Sequence, residues 1–160
     1  MRKSLIAATA LAALAAASTA VAAGGTHPAA QRVRIEVKGT DPYSFELKPT
    51  SRGGVQFDFG NASFCCWRTW SVTRGGARLD VSNPLLTLFG ERRALKIRER
   101  IDWVALPDGW SVCTGTWKVV GGSGAYDNLS GQGRVACVWG PEADKKVHLR
   151  IRLFGFLAAK

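Results

Sequence analysis

The chain has 160 residues, a formal net charge of +10 and a hydrophobic content of 46%. This length holds one domain after an N-terminal targeting segment and is too short for two ordinary domains. Beyond that first segment no apolar run approaches the roughly 20 residues of a membrane-spanning helix, so no transmembrane segment is predicted.

The first residues have the three parts of a secretory signal peptide. Arg2 and Lys3 form a positive start, residues 5–17 contain only Leu, Ile, Ala and Thr, and Ala20-Val21-Ala22 has the small-x-small pattern of a cleavage site. We therefore expect cleavage and a location outside the cytoplasm, either secreted or in the cell envelope. The predicted parts are a signal peptide over 1–22, a flexible leader over 23–31 and a domain over 32–160.

The domain that remains is basic. Of the 22 Lys and Arg residues, Arg2 and Lys3 leave with the signal, so that 20 cations face 12 acids and the net charge is +8. Such a charge suits an anionic polymer, but the cations are spread along predicted strands rather than grouped. We expect an ordinary solvated surface with no specific nucleic-acid partner, and keep the binding of an anionic polymer at the cell envelope as an alternative.

Hydrophobic and polar residues alternate through nearly all of the domain, which is typical of half-buried β-strands. Val33, Ile35 and Val37, for example, alternate with charged neighbours. No window outside the signal has a helical period. Some eight to ten strands predict an all-β fold, and we favour a single closed antiparallel barrel of about eight strands over a sandwich, because closure leaves no exposed edge. In chain order the candidates are 32–38, 43–47, 55–59, 64–72, 77–81, 85–89, 94–106, 110–120, 134–139 and 147–157.

Four cysteines in an exported domain predict two disulfides. Cys65 and Cys66 are adjacent, whereas Cys113 and Cys137 lie on separate later strands. Three pairings are open: two join the adjacent cysteines to both later strands, and the third combines a ring between the neighbours with a bond between Cys113 and Cys137. Because the chain has no Cys-x-x-Cys motif, we predict neither a thioredoxin-type redox centre nor a metal site.

Two charged residues fall on the hydrophobic faces of predicted strands. Glu99 shares its face with Ile97 and Ile101, and Arg68 shares one with Trp70. A carboxyl group inside a barrel is costly unless it is paired or protonated, and a guanidinium matches it in a bidentate geometry. We hypothesise that Glu99 lines a ligand cavity as a general acid/base or polar anchor, and that Arg68 holds an anionic group there. The alternatives are a β-bulge that shifts the phase and a buried ion pair without a ligand.

Aromatic residues complete the candidate ligand site. Trp70 and Trp103 share the faces of Arg68 and Glu99, and Tyr126 is expected at a barrel end, so all three are predicted to line the cavity. Tryptophans suit an aromatic cavity or a stacking platform, with core and end-cap packing as the alternative. No catalytic triad and no phosphate-binding loop is present, so the sequence offers no standard catalytic set beside the hypothesis for Glu99, and the catalytic residues are left open. The six tryptophans are Trp67, Trp70, Trp103, Trp110, Trp117 and Trp139.

The most distinctive segment is Gly121–Gly133, in which glycines supply a tight turn after a strand, and Tyr126 and Leu129 are predicted to plug the barrel end. The segment resembles the Gly-Ser/Thr-Gly-x-Phe/Tyr signature of the β-barrel superfamily of allene oxide cyclases and dirigent proteins. The ending Gly155-Phe156-Leu157 is similar to that of exported bacterial relatives. The resemblance implies an eight-stranded antiparallel barrel with an internal apolar cavity, often oligomeric, that binds or cyclises hydrophobic small molecules without a cofactor.

The leading functional hypothesis is an exported, disulfide-stabilised barrel that binds a hydrophobic small molecule. The alternatives are a cofactor-independent isomerase or cyclase on the same barrel and the basic module for an anionic polymer described above. Phe154 and Phe156 lie outward on the last predicted strand and are a candidate contact for a homo-oligomer.

Overall fold

The computed structural model describes residues 30–39, 42–106, 109–140 and 148–160. The predicted signal peptide and most of the predicted leader lie outside the described residues, as does residue 147 of the last predicted strand. The first strand begins at Gln31, the residue at which the leader was expected to end. The Gln31 side chain donates to the carbonyl oxygens of Ser51 and Val55 at 2.8 and 3.1 Å, which ties the start of the domain to the loop after the second strand.

Ten strands form one antiparallel sheet, and the only helical structure among the described residues is a single 3₁₀ turn over Gly124–Tyr126. The prediction of an all-β fold is confirmed. The strands are β1 (Gln31–Gly39), β2 (Tyr43–Pro49), β3 (Asp58–Cys65), β4 (Thr69–Arg74), β5 (Ala77–Ser82), β6 (Leu85–Gly90), β7 (Arg93–Ala105), β8 (Ser111–Gly122), β9 (Leu129–Trp139) and β10 (Leu149–Ala159).

Eight of these strands close into a barrel. Their order is β7-β6-β3-β2-β1-β10-β9-β8, and the pairing of β8 with β7 completes the ring. Closure gives each of these strands a partner on both sides, so their backbone donors and acceptors do not form an open edge. The predicted closed barrel of about eight strands is therefore confirmed.

The β4–β5 hairpin is an extension of the wall outside the ring. The strand β7 is 13 residues long. Its first half, Arg93–Arg98, pairs with β6, and its second half pairs with β5 between Ile101 and Trp103. The hairpin therefore lengthens the barrel at the end where β7 finishes, and this is the end that carries the candidate site.

Apolar side chains fill the barrel interior. Val33, Ile35 and Val37 of β1 are buried as their alternation predicts. The largest interior side chains have almost no surface accessible to a water-sized molecule, so the middle of the described barrel is packed rather than hollow. Each such side chain contributes about 1.5–3 kcal/mol of burial free energy. They include Ile35, Leu47, Leu86, Leu88, Leu95, Ile97, Ile101, Leu153 and Leu157.

The 3₁₀ turn closes the other end, near the start of β7. Tyr126 is buried there, and its hydroxyl donates to Asp58 Oδ2 at 2.5 Å. Burial, and then the hydrogen bond to Asp58, raise the pKa of Tyr126. Gly122 leaves the room that this turn needs, because a Cβ there would lie 2.3 Å from the Tyr126 carbonyl oxygen. This position agrees with the plug that the glycine-rich segment predicts.

Candidate functional site: an aromatic cleft at the open end of the barrel

A cleft of about 610 Å³ opens at the end of the barrel opposite Tyr126. Its wall is formed where β7 runs past β6 and the β4–β5 hairpin extends the sheet. Five of the lining side chains are aromatic, and most of the others are small and polar. The lining of this aromatic cleft consists of Tyr43, Phe64, Trp67, Trp103 and Trp139 with Ser63, Thr69, Asp80, Ser82, Ala105 and Ser111.

The aromatic rings of the cleft contact one another in two groups. The ring centroids of Trp103 and Trp139 are 5.9 Å apart in an edge-on arrangement. Phe64 lies 5.4 Å from Tyr43, also edge-on, and 5.9 Å from Trp67. Trp67 and Trp139 are still 46% and 39% exposed, so the cleft presents large apolar rings to solvent. A molecule bound between the rings would cover that surface.

Trp103 is held in place by a hydrogen bond from within the sheet. Its indole Nε1 donates to Ser82 Oγ at 2.6 Å, and Ser82 is itself 1% exposed. Ser82 lies at the end of β5 and pairs with Ile101 of β7. The hairpin therefore does more than extend the wall, since it also orients a tryptophan of the cleft.

A disulfide lies directly beside Trp103. Cys113 of β8 is opposite Trp103 of β7 on one side and opposite Cys137 of β9 on the other. Cys113 and Cys137 are bonded, with their Cα atoms 4.9 Å apart, and both are buried. This bond excludes the two pairings that join the later strands to Cys65 and Cys66. Those two cysteines are free, so the structure contains one of the two predicted disulfides. It also fixes the strand that carries Trp139, two residues after Cys137.

Glu99 lies inside the barrel, two interior positions along β7 from Trp103. It is 1% exposed, and neither carboxyl oxygen has a hydrogen-bond partner among the described residues. Burial raises the pKa of Glu99 to about 8, so the carboxyl group is mostly protonated at neutral pH. The pairing of β7 with β8 contains one β-bulge, because the partners of two successive β7 residues, Lys96 and Ile97, are separated by one extra β8 residue, Val120. Since the extra residue belongs to β8, the alternation along β7 is unbroken and Glu99 stays on the interior face. Glu99 does not line the aromatic cleft. It is among the residues that line the groove across β7, β8 and β9 described below, although it is almost completely buried.

The predicted position of Arg68 inside the barrel near Glu99 is wrong, and so is the alternative of a buried ion pair between them. The strand predicted over 64–72 is broken, because β3 ends at Cys65 and residues 66–68 leave the sheet. Cys66 has a left-handed φ of 60°, which interrupts the alternation that placed Arg68 on the interior face. The Arg68 side chain is exposed, and its carbonyl oxygen accepts from the Asn83 N–H at 3.0 Å.

The remaining predicted site residues are divided between different parts of the barrel. Trp103 lines the aromatic cleft, whereas Trp70 lies on β4 opposite Val81, is 40% exposed and is not part of the lining. Tyr126 is at the closed end. Of the other four aromatic residues of the cleft, sequence reasoning gave two tryptophans only as possible members of an aromatic cavity and did not select the tyrosine or the phenylalanine. A usable signal is their position at or next to the ends of strands β2, β3 and β9, where side chains surround a barrel mouth. They are Tyr43, Phe64, Trp67 and Trp139.

A second feature is a groove of about 610 Å³ on the outer wall, across β7, β8 and β9. Arg98 lies directly opposite Lys118, and Thr116 lies between Arg100 and Arg134 in the adjacent row. In the part of the chain that the structure describes, none of these four cations forms an ion pair with a carboxylate. We call this surface the basic groove; its cations are Arg98, Arg100, Lys118 and Arg134.

Comparisons with protein-family models, with curated proteins and with solved structures find no match to this chain. The resemblance to the allene oxide cyclase and dirigent superfamily therefore stays a prediction. Within the described ranges, His, Cys, Asp and Glu side chains form no group of three that could hold a metal ion. Those same ranges contain no helix with the length and apolar character to cross a membrane.

Proposed function

We propose that the protein binds a hydrophobic small molecule in the aromatic cleft at the open end of its barrel. The observation that carries this proposal is the cleft itself, with five aromatic side chains around a volume of about 610 Å³. Small-molecule sites are typically concave, apolar and roughly 300–1,000 Å³ in volume, with a few polar groups that fix orientation. The cleft has a volume in this range and large aromatic rings, and its lining also carries several polar groups.

The polar groups of the cleft favour a ligand that is mainly apolar with one or two hydrogen-bonding substituents. Asp80 is on the lining, and its Oδ1 accepts a 2.7 Å hydrogen bond from Ser71 Oγ. Ser63 and Ser111 add hydroxyl groups to the lining. Flat rings suit the cleft best, because tryptophan faces and edges pack against aromatic groups at centroid distances of about 4.5–7 Å.

The site is organised before a ligand enters. The Cys113–Cys137 bond ties β8 to β9, and the hydrogen bond from Trp103 to Ser82 fixes one ring of the cleft. Groups that are already ordered lose less conformational entropy on binding, which leaves more of the contact energy for affinity.

The test is a titration of the purified protein with 1-anilinonaphthalene, an uncharged aromatic probe, followed by its fluorescence and by quenching of tryptophan emission. Trp139→Ala removes a cleft ring that is 39% exposed, so the variant is expected to fold. We expect it to weaken probe binding about tenfold or more, which corresponds to the loss of about 1.4 kcal/mol of contact energy. Trp70→Ala, which removes a 40% exposed tryptophan outside the lining, is the matched control. Equal affinities of the two variants would contradict the proposal.

The basic groove favours a second candidate function, the binding of an anionic polymer at the cell envelope. Arg98 and Lys118 are cross-strand neighbours without an acid between them, and like charges in this position destabilise a sheet. A polyanion along the groove would remove that repulsion and release its own counterions.

Retention on a heparin column at increasing salt tests this second function. A plot of log affinity against log salt concentration falls more steeply when more cations contact the polyanion. Replacing Arg98 and Lys118 with Gln is expected to reduce the magnitude of this negative slope by about 1.5–2. The control replaces Arg34 and Lys38, exposed cations of β1 outside the groove, with Gln. An equal change in slope for both pairs would show that net charge, and not the groove, controls retention.

A further inference from the structure

Cys65 and Cys66 lie at the rim of the aromatic cleft. They separate Phe64 from Trp67, two rings that line the cleft and contact each other at 5.9 Å. The two sulfur atoms are 2.6 Å apart, and both residues are exposed. Since Cys113 and Cys137 are bonded to each other, each of the two exposed cysteines has only its neighbour as a partner within the chain.

The backbone of this segment already has a turn that directs the two thiols toward each other. Cys66 adopts a left-handed φ of 60°, a conformation that residues with a Cβ rarely take. The segment is anchored on both sides, because Cys65 pairs with Leu85 of β6 and the Arg68 carbonyl accepts from the Asn83 N–H. The surrounding sheet therefore maintains a turn that an unconstrained pair of cysteines would not favour.

We propose that Cys65 and Cys66 are a redox pair that closes into an eight-membered disulfide ring, and that this ring sets the affinity of the aromatic cleft. The formation of the ring depends only on the two thiols, and its effect on the affinity of the cleft rests on the proposed ligand-binding function. The ring would fix the turn between Phe64 and Trp67, so that these rings form a preorganised wall of the cleft. In the reduced state, which the structure describes, the sheet alone holds the turn, so the exposed Trp67 has more freedom to leave its contact with Phe64 than it would have in the ring.

The oxidant is a disulfide of the extracytoplasmic space, either a small molecule or an oxidised dithiol protein. One thiolate attacks a sulfur of that disulfide and releases a first thiol, which leaves a mixed disulfide on the chain. The neighbouring thiolate then displaces the second thiol and forms the bond between Cys65 and Cys66. In sum, one external disulfide bond breaks, one bond forms in the protein, and the two cysteine protons end on the two released thiols. A reducing dithiol reverses the step.

Because the four cysteines differ in exposure, a reductant can reach Cys65 and Cys66 more easily than Cys113 and Cys137. Cys113 and Cys137 are 3% and 4% exposed, whereas Cys65 and Cys66 are open to solvent. A mild reductant is therefore expected to open the exposed ring while the buried bond between β8 and β9 persists.

The first experiment is peptide mapping by mass spectrometry after equilibration in oxidised or reduced glutathione and blocking of free thiols with iodoacetamide. We expect a linked Cys65–Cys66 peptide, lighter by two hydrogen atoms, in the oxidised sample and two blocked thiols in the reduced one. The single variants Cys65→Ser and Cys66→Ser are expected to carry one glutathione each. Two blocked thiols, stable glutathione adducts or intermolecular dimers in the oxidised wild type would overturn the redox pair.

The second experiment measures binding of the anilinonaphthalene probe to the same samples. We expect mild reduction to weaken binding about two- to tenfold in the wild type. The double variant Cys65→Ser/Cys66→Ser should bind equally in both buffers, which shows that Cys113–Cys137 is not the source of the change. If the linked peptide forms but the affinity for the probe is the same in both buffers, the ring does not set the affinity of the cleft and that part of the proposal is wrong. Absence of probe binding in every sample overturns the ligand-binding function, while the mass result still decides the redox pair.

Discussion

The buried carboxyl group of Glu99 makes the stability of the protein depend on pH in a direction opposite to that of most acids. Glu99 is 1% exposed, has no partner for either carboxyl oxygen, and has a pKa raised by burial from 4.5 to about 8. Its folded-state pKa lies above the unfolded value, so its contribution to stability is fully present below about pH 4.5. That contribution is lost as the pH rises to about 8 and stays lost above it.

The magnitude follows from the proton that the folded state retains. Between the two pKa values, the unfolded chain has released this proton and the folded chain has not, so the free energy of unfolding falls by about 1.4 kcal/mol per pH unit. Across the interval from 4.5 to about 8 the full loss is about 5 kcal/mol, a large share of a small domain's stability. Between pH 5 and pH 7 it is about 3 kcal/mol.

The perturbation is Glu99→Gln, which keeps the shape of the side chain and cannot ionise. We expect the difference in unfolding free energy between variant and wild type, measured by urea denaturation, to shift by about 3 kcal/mol in favour of the variant from pH 5 to pH 7. Contributions from all other titrating groups are common to both proteins and cancel in this difference. Glu91→Gln, at an exposed acid, is the control. A difference that is the same at both pH values would refute the description of Glu99 as a desolvated, unpaired acid.

Three further changes test other parts of the same structure. Replacing Cys113 and Cys137 with Ser is expected to lower the free energy of unfolding by about 3 kcal/mol, because the bond closes a loop with a sequence separation of 24. Urea denaturation measures this loss, and an unchanged midpoint would count against the bond. Tyr126→Phe deletes the hydroxyl that donates to Asp58 and is expected to lower the free energy of unfolding by about 1.5–3 kcal/mol in the same assay. An unchanged free energy of unfolding would show that the closed end does not depend on this contact. Glu99→Met replaces the unpaired carboxyl group with an apolar side chain of similar volume and is expected to raise the melting temperature at pH 7. A lower melting temperature would contradict this prediction.

Features that repeat with the period of a strand could be predicted from the sequence. Val33, Ile35 and Val37 face the interior because successive side chains of a strand alternate between its two faces. Glu99 was placed inside for the same reason, since it continues the alternation of Ile97 and Ile101 within one unbroken strand. The closed antiparallel barrel followed from many such strands and from the need to leave no free edge.

Features that depend on a single break in that period could not be predicted. One left-handed residue, Cys66, ends the extended chain after β3 and turns Arg68 to solvent, so no guanidinium from this segment lies beside Glu99. Nothing in the local composition marks this break, because cysteine is not a residue that favours a positive φ. The fold around the segment, which anchors Cys65 to β6 and Arg68 to Asn83, maintains it.

The sequence by itself determined the all-β class and the interior position of Glu99, because both depend on alternation along single strands. The tertiary structure decided which eight of the ten strands close the ring, since the β4–β5 hairpin also consists of strands and yet lies outside it. Only the tertiary structure decided which cysteines meet and which aromatic residues share a site. Cys113 and Cys137 are bonded because β8 and β9 are neighbours in a register that places them opposite each other. Tyr43 and Trp139 line one cleft because closure of the barrel gathers strand ends that are distant in the chain. Register and the order of the strands around the ring are long-range properties of the sheet, and the alternation of residues along a single strand does not encode them.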